Sequence, residues 1–120
     1  MSRYRLSHPA EADVVRILAT GRTLWGADAE RRYRALLAAA LRKAAANPHG
    51  PATRDWPELG DAVHSLPLRH ARGATGEDPV GRPVHVLFYR AAEPGLIEII
   101  RVLHERMEPG RHLGAIADEH

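Results

Sequence analysis

With 120 residues, 44% of them hydrophobic and 27% charged, the chain has material for one hydrophobic core and not for two. It contains no cysteine, which excludes disulfides and thiolate metal sites, and no run of about 18 apolar residues that could span a bilayer. The net charge of +2 hides a division: residues 1–49 carry nine basic and four acidic groups, and residues 50–120 carry eight basic and eleven acidic.

Tyr4–Leu6 opens the chain as a short strand, cut off by Ser7-His8-Pro9. Ser7 is a good N-cap, and Pro9 falls in the first turn, where its missing N–H costs little. Val14, Ile17 and Leu18 recur at helical spacing, and Gly21 is expected to close this first helix. After a link through Trp25-Gly26, a second helix is expected from Ala27 to Ala46. Its apolar stripe is Ala29, Tyr33, Leu36, Leu37, Ala40, Leu41 and Ala44, with Arg31, Arg34 and Arg42 off the stripe. Asn47-Pro48-His49-Gly50-Pro51 stops it.

Thr53–Gly60 reads as irregular, with Trp56 anchoring it to the core, and Ala62–Leu68 as a strand despite Pro67. Arg69–Arg82 holds three glycines and a proline and is expected to be a long, partly mobile connection. Val84–Arg90 and Leu96–His104, rich in Val, Ile, Leu, Phe and Tyr, form a hairpin across a turn at Ala91–Gly95. Both strands carry apolar residues on both faces, so the sheet face away from the helices also needs a cover, which a partner could supply. After Arg106 the tail is expected to fray. The pattern predicts an α+β domain in the order β-α-α-β-β-β, a two-helix antiparallel hairpin packed on one face of a small antiparallel sheet.

Several pieces, taken in order, resemble one family. They are Tyr4-x-Leu6-Ser7-x-x-Ala10-x-x-Asp13, Trp25-Gly26, Asn47-Pro48, Phe88-Tyr89-Arg90, the run Ile99-x-Arg101-Val102-Leu103-His104-x-Arg106-Met107, and Arg111-His112-Leu113. The set resembles the ParE/RelE superfamily of small bacterial toxins, and the long second helix and the RVLHERM ending place it on the ParE side. Two places depart from the pattern: the Arg69–Arg82 connection is long, and Glu108 stands where Asp often follows the Met. The resemblance implies a toxin domain over residues 1–113 with a flexible tail over 114–120. It further implies the toxin half of a type II toxin–antitoxin (plasmid stabilisation) pair, inhibiting DNA gyrase and neutralised by a ParD-like antitoxin. The alternative it leaves open is a RelE-like, ribosome-dependent mRNA endonuclease; an interaction module without toxicity is a third reading.

The chemistry of the alternatives differs. A metal-independent ribonuclease needs an acid, a base and cations for the developing phosphorane charge. Candidates are Arg69, His70, Arg72 and His112, and above all His104, Tyr89, Arg90 and Arg101. Yet Thr53–Asp61 sets Arg54 against Asp55, Glu58 and Asp61, an acidic segment that would repel RNA. Gyrase inhibition asks for a surface and no catalytic set. Antitoxin contacts are expected at Arg69, Arg90, Arg101 and Arg106, with the antitoxin segment on the open sheet face and in the groove beside the helices. Eight histidines are scattered without an i, i+4 pair, so neither metal nor cofactor is expected. The charged N-terminus, MSRYRLSH, does not read as a signal peptide, and a cytoplasmic protein is expected, without membrane contact or direct DNA binding by the toxin alone.

Overall fold

Ser7 sets the geometry of the N-terminal half. In the computed structural model its hydroxyl accepts from the Ala10 N–H (3.1 Å) and donates to the Ile100 carbonyl (2.8 Å). One side chain thus caps a helix and ties it to a strand 93 residues on. The structure describes residues 2–60, 62–76 and 80–117. Strand β1 (Arg3–Leu6) leads into α1 (His8–Trp25) and α2 (Ala27–Ala46), followed by β2 (Arg54–Asp55), β3 (Val63–Pro67), β4 (His85–Glu93), β5 (Leu96–His104) and α3 (Pro109–Ala117). The five strands lie in the order β1-β5-β4-β3-β2, antiparallel except that β1 pairs parallel to β5. The α+β class and the placement of the helical hairpin follow the sequence pattern.

The helix-facing core joins Leu36, Leu37, Ala40 and Ala44 of α2 to Leu66, Leu87, Tyr89, Ile97, Ile99 and Val102 of the sheet. Alanine at 39, 40, 44 and 45 lets α2 lie close on the strands, which supply the larger side chains. The opposite sheet face carries Val63, Phe88, Ile100 and Leu103. It is not left bare: Leu113 of α3 packs there, with Trp56 and Leu59 beside it. The chain itself therefore covers much of the face that the sequence reading leaves for a partner.

Four local expectations are corrected. Helix α1 runs through Gly21 and ends at Gly26, where φ is +93°, a value that favours glycine. A single mid-helix glycine costs about 1 kcal/mol, too little to stop a helix whose Ile17 and Leu18 are already packed. Thr53–Gly60 is more ordered than expected, giving β2 and a 3₁₀ turn at Pro57–Leu59. The long connection opens with a 3₁₀ stretch, Leu68–Ala74, held by buried Leu68 and Ala71; residues 77–79 of it lie outside the described residues. Lastly, Pro109–Ala117 forms a helix where fraying is expected, because Leu113 anchors it; residues 118–120 of the expected tail lie outside the described residues.

A bulge in β5 organises the contact between the layers. Phe88 pairs with Arg101 and Tyr89 with Ile99, so Ile100 is the extra residue. Beyond Leu6 there is no β1 to pair with β5, and α1 takes over that edge. Asp13, 1% exposed, accepts from the Val102 N–H (2.9 Å), forks with Arg101 (Nε to Oδ2 2.7 Å, Nη2 to Oδ1 2.8 Å) and meets Arg16 (2.7 Å). Burial works to raise the Asp13 carboxyl, and the hydrogen bonds from Arg101, Val102 and Arg16 outweigh it, so it sits below the usual carboxylate range.

Asp13→Ala leaves Arg101 and the Val102 N–H without their acceptor and is expected to cost about 3–4 kcal/mol in urea unfolding. Because the folded value of Asp13 is depressed, its charge stabilises the fold fully above the unfolded value of 3.8 and progressively less as pH falls towards the depressed one. Unfolding free energies from pH 6 down to pH 3 should therefore drop more steeply for the natural chain than for Asp13→Asn.

Candidate functional site

Among the described residues, exposed or polar chemistry gathers in several places, of which three bear on function. The first is a groove of about 530 Å³ between the helical hairpin and residues 80–85, walled by Ile17, Leu18, Trp25, Tyr33, Val80 and Val84. Trp25 (75% exposed) and Leu24 (63%) stand at the hairpin tip, where Gly26 alone joins α1 to α2. Their exposure was not foreseen; the available signal was two large apolar residues placed directly before a helix-ending glycine. Around this end Glu30 binds Arg22 (3.1 Å) and Arg34, while Arg32 Nε lies 3.3 Å from Asp28. An apolar floor with a guanidinium rim suits an amphipathic, acidic segment.

At one side of this groove Tyr33 meets His85, hydroxyl to Nδ1, at 2.6 Å. Burial raises the Tyr33 phenol to about 12. Burial, with help from nearby His104, lowers the His85 imidazole to about 4. Both are therefore neutral near pH 7, and the contact is a hydrogen bond between two uncharged groups. The His104 ring stands edge-on to His85 at 5.7 Å, and its Nδ1 accepts from the Arg106 N–H (3.1 Å).

The second place is a cleft of about 340 Å³ on the other sheet face, bordered by Arg54, Trp56, Arg69, His70, Phe88 and His104. The Arg54 guanidinium lies 3.7 Å over the Trp56 ring, whose Nε1 donates to Ser65 (2.8 Å). Partial burial, then the charges of Arg69 and Lys43, lower the His70 imidazole below its ordinary value. The third place is the corner after α2, where His49, Asp55 and His64 approach one another.

The residues singled out in the sequence do not assemble into one centre. Tyr89 is fully buried on the helix side, donates to the Pro48 carbonyl (2.7 Å), and is raised by burial to about 12. It is a core residue that fixes the end of α2. Arg101 is committed to Asp13 and also reaches the His112 carbonyl (3.4 Å). Arg90 pairs with Glu98 (3.2 Å), which Arg5 shares. His104 is opposite His85, five residues along β4 from Arg90, or roughly 16 Å at strand spacing. Arg69, Arg72 and Arg106 are exposed, and Arg69 and Arg106 make no ion pair among the described residues.

Comparison with known proteins points to one family. A family model described as "ParE toxin of type II toxin-antitoxin system, parDE" matches residues 4–109. Toxin ParE1 of Mycobacterium tuberculosis is 33% identical over 112 residues, 93% of this chain and 98% of its own length. Toxin ParE1 of Caulobacter vibrioides is 32% identical over 114 residues, 95% of this chain and 100% of its own. Toxin ParE of Escherichia coli is 34% identical over 110 residues, covering 90% of this chain and 89% of its own length. With nearly its whole length matched and its helical hairpin seated on the sheet, the chain belongs to the ParE family, the toxins of type II toxin–antitoxin pairs.

Proposed function

We propose that the chain arrests growth by inhibiting DNA gyrase in the cytoplasm and is held inactive by a ParD-like antitoxin. The observation that carries this reading is the ParE match over residues 4–109, together with the work already done by the residues a ribonuclease would use. Tyr89 holds its proton up to about pH 12 inside the core, and Arg101 neutralises a buried carboxylate. A surface inhibitor has no use for either as a catalyst. Among the described residues no helix is long and apolar enough to cross a membrane, and the apolar surface at Trp25 and Leu24 suits a protein partner.

The antitoxin reading draws on charge. Arg69 and Arg106 are exposed, Arg69 at the cleft it shares with His70 and His104, and Arg90 is shared with Glu98. An acidic antitoxin segment laid along the clefts beside the sheet would meet Arg69 and Arg106 first. Arg101 contributes by shaping β5, since its guanidinium is already occupied. The ribonuclease alternative keeps one specific support: Arg54, Arg69, His70 and His104 do border a single cleft.

Purified protein is expected to inhibit gyrase supercoiling, with relief on adding the antitoxin. Unimpaired gyrase combined with mRNA cleavage on programmed ribosomes would establish the ribonuclease instead. His70→Ala and His104→Ala should leave growth arrest intact, whereas a ribonuclease would lose it. Tyr89→Phe should also keep toxicity while costing about 1 kcal/mol of stability from the orphaned Pro48 carbonyl. The double reversal Arg69→Glu, Arg106→Glu should weaken antitoxin binding on the order of tenfold, mostly through slower association at low salt.

A further inference from the structure

The corner after α2 brings together three side chains that the sequence scatters. Asn47-Pro48 ends the helix, and the following turn is closed by the Gly50 N–H on the Asn47 carbonyl (3.1 Å) and by Thr53 on the Gly50 carbonyl (N–H 3.0 Å, hydroxyl 2.6 Å). Tyr89 fixes this corner to the sheet by donating to the Pro48 carbonyl. His49 is thereby carried to the edge of β3, its ring edge-on to that of His64 at 4.5 Å. On the sheet, Asp55 of β2 is the direct cross-strand partner of His64 in β3, so carboxylate and imidazole share a face. His64 Nδ1 lies 2.6 Å from Asp55 Oδ1. The Tyr89 ring backs His64 at 5.9 Å from the far side.

We propose that His49, Asp55 and His64 form a binding site for one divalent transition-metal ion of the zinc and nickel class. One ligand atom from each residue lies within 4.8 Å of the other two. Two imidazoles and a carboxylate are a donor set that borderline ions favour, whereas magnesium and calcium prefer oxygen alone. Bonds to such an ion run at about 2.0–2.2 Å, which sets neighbouring ligand atoms roughly 3.3 Å apart. The shift required is small and falls on the movable groups. The Asp55 side chain is 76% exposed and His49 is exposed, while His64, with 8% of its side chain exposed, supplies the fixed member. A water or a partner's side chain would complete the coordination.

The structural role follows from where the three residues sit. An ion there clips the end of α2 to the outer hairpin of the sheet, across a stretch otherwise secured by turns and by two-residue β2. Sequence spacing gave no hint of it, because the ligands come from a turn and two different strands.

Titration of ZnCl2 and NiCl2 into the full, untagged chain, followed by calorimetry and by thermal melting, tests the proposal. One saturable ion per chain is expected, with Tm raised by roughly 5–10 °C at a hundredfold excess over Kd. His49→Ala and Asp55→Asn, both exposed positions, should each weaken binding by about tenfold or more while far-ultraviolet circular dichroism stays unchanged. His104→Ala, which removes one ring of the other adjacent histidine pair, should bind as the natural chain does. The absence of saturable binding, or binding unchanged in His49→Ala, would overturn the assignment.

Discussion

The fork between Asp13 and Arg101 is the interaction on which the arrangement of layers depends. A carboxylate that is 1% exposed is tolerated only because a guanidinium and a backbone N–H take up its oxygens. Those donors are available because β5 carries an extra residue at Ile100 and because β1 stops at Leu6, leaving an edge that α1 can occupy. Ser7, the N-cap of the same helix, reinforces that edge through the Ile100 carbonyl. Helix placement, bulge and strand length are thus one solution to a single hydrogen-bonding problem. A hydrophobic pair could stabilise the site as well, but it would not fix the register of α1 along β5.

From this lock the surfaces of the molecule follow. Helices close one sheet face, and Leu113, Trp56 and Leu59 close much of the other. What stays accessible is at the margins: the groove at the hairpin tip, the cleft under α3, and the outer edges of β1 and β2. The β1 edge is defended by charge, with Arg3 paired to Glu93 and Arg5 to Glu98, while β2 is only two residues long. Unspecific strand pairing is discouraged at both edges, so a partner is steered towards the clefts, where side chains rather than backbone make the distinction.

The helical hairpin and the β4–β5 pair were legible because each is a long segment with one dominant period. In α2 the stripe from Tyr33 to Ala44 predicted the buried face, and the stop at Asn47-Pro48 predicted its end. Short or compound elements were not legible. Pro109 and Gly110 look like a broken tail until Leu113 finds Phe88 and Ile100 beneath it, a contact no local pattern encodes. The parallel pairing of β1 was hidden for the same reason, since four residues carry no signal of their neighbour. At the candidate sites, residue types were visible and allegiances were not. Arg101 looked like a surface cation because its partner lies 88 positions away, and Tyr89 looked like an acid–base group because burial cannot be read from one strand.

The pairing of the first strand with the last has a consequence for how the protein comes to exist in a cell. As the chain leaves the ribosome, β1, Ser7 and Asp13 emerge long before β5, yet the strand pairing of β1, the Ser7 bond to Ile100 and the Asp13 bonds to Arg101 and Val102 all need that later strand. Until that strand is clear of the exit tunnel, the helical hairpin has no complete sheet to rest on, and the Asp13 carboxylate lacks the Arg101 fork and the Val102 N–H. Closing so long a loop is among the slower folding events for a domain of this size. The nascent chain is therefore structurally incomplete until β5 has been made, and the surfaces that its helices and sheet build together exist only from that moment.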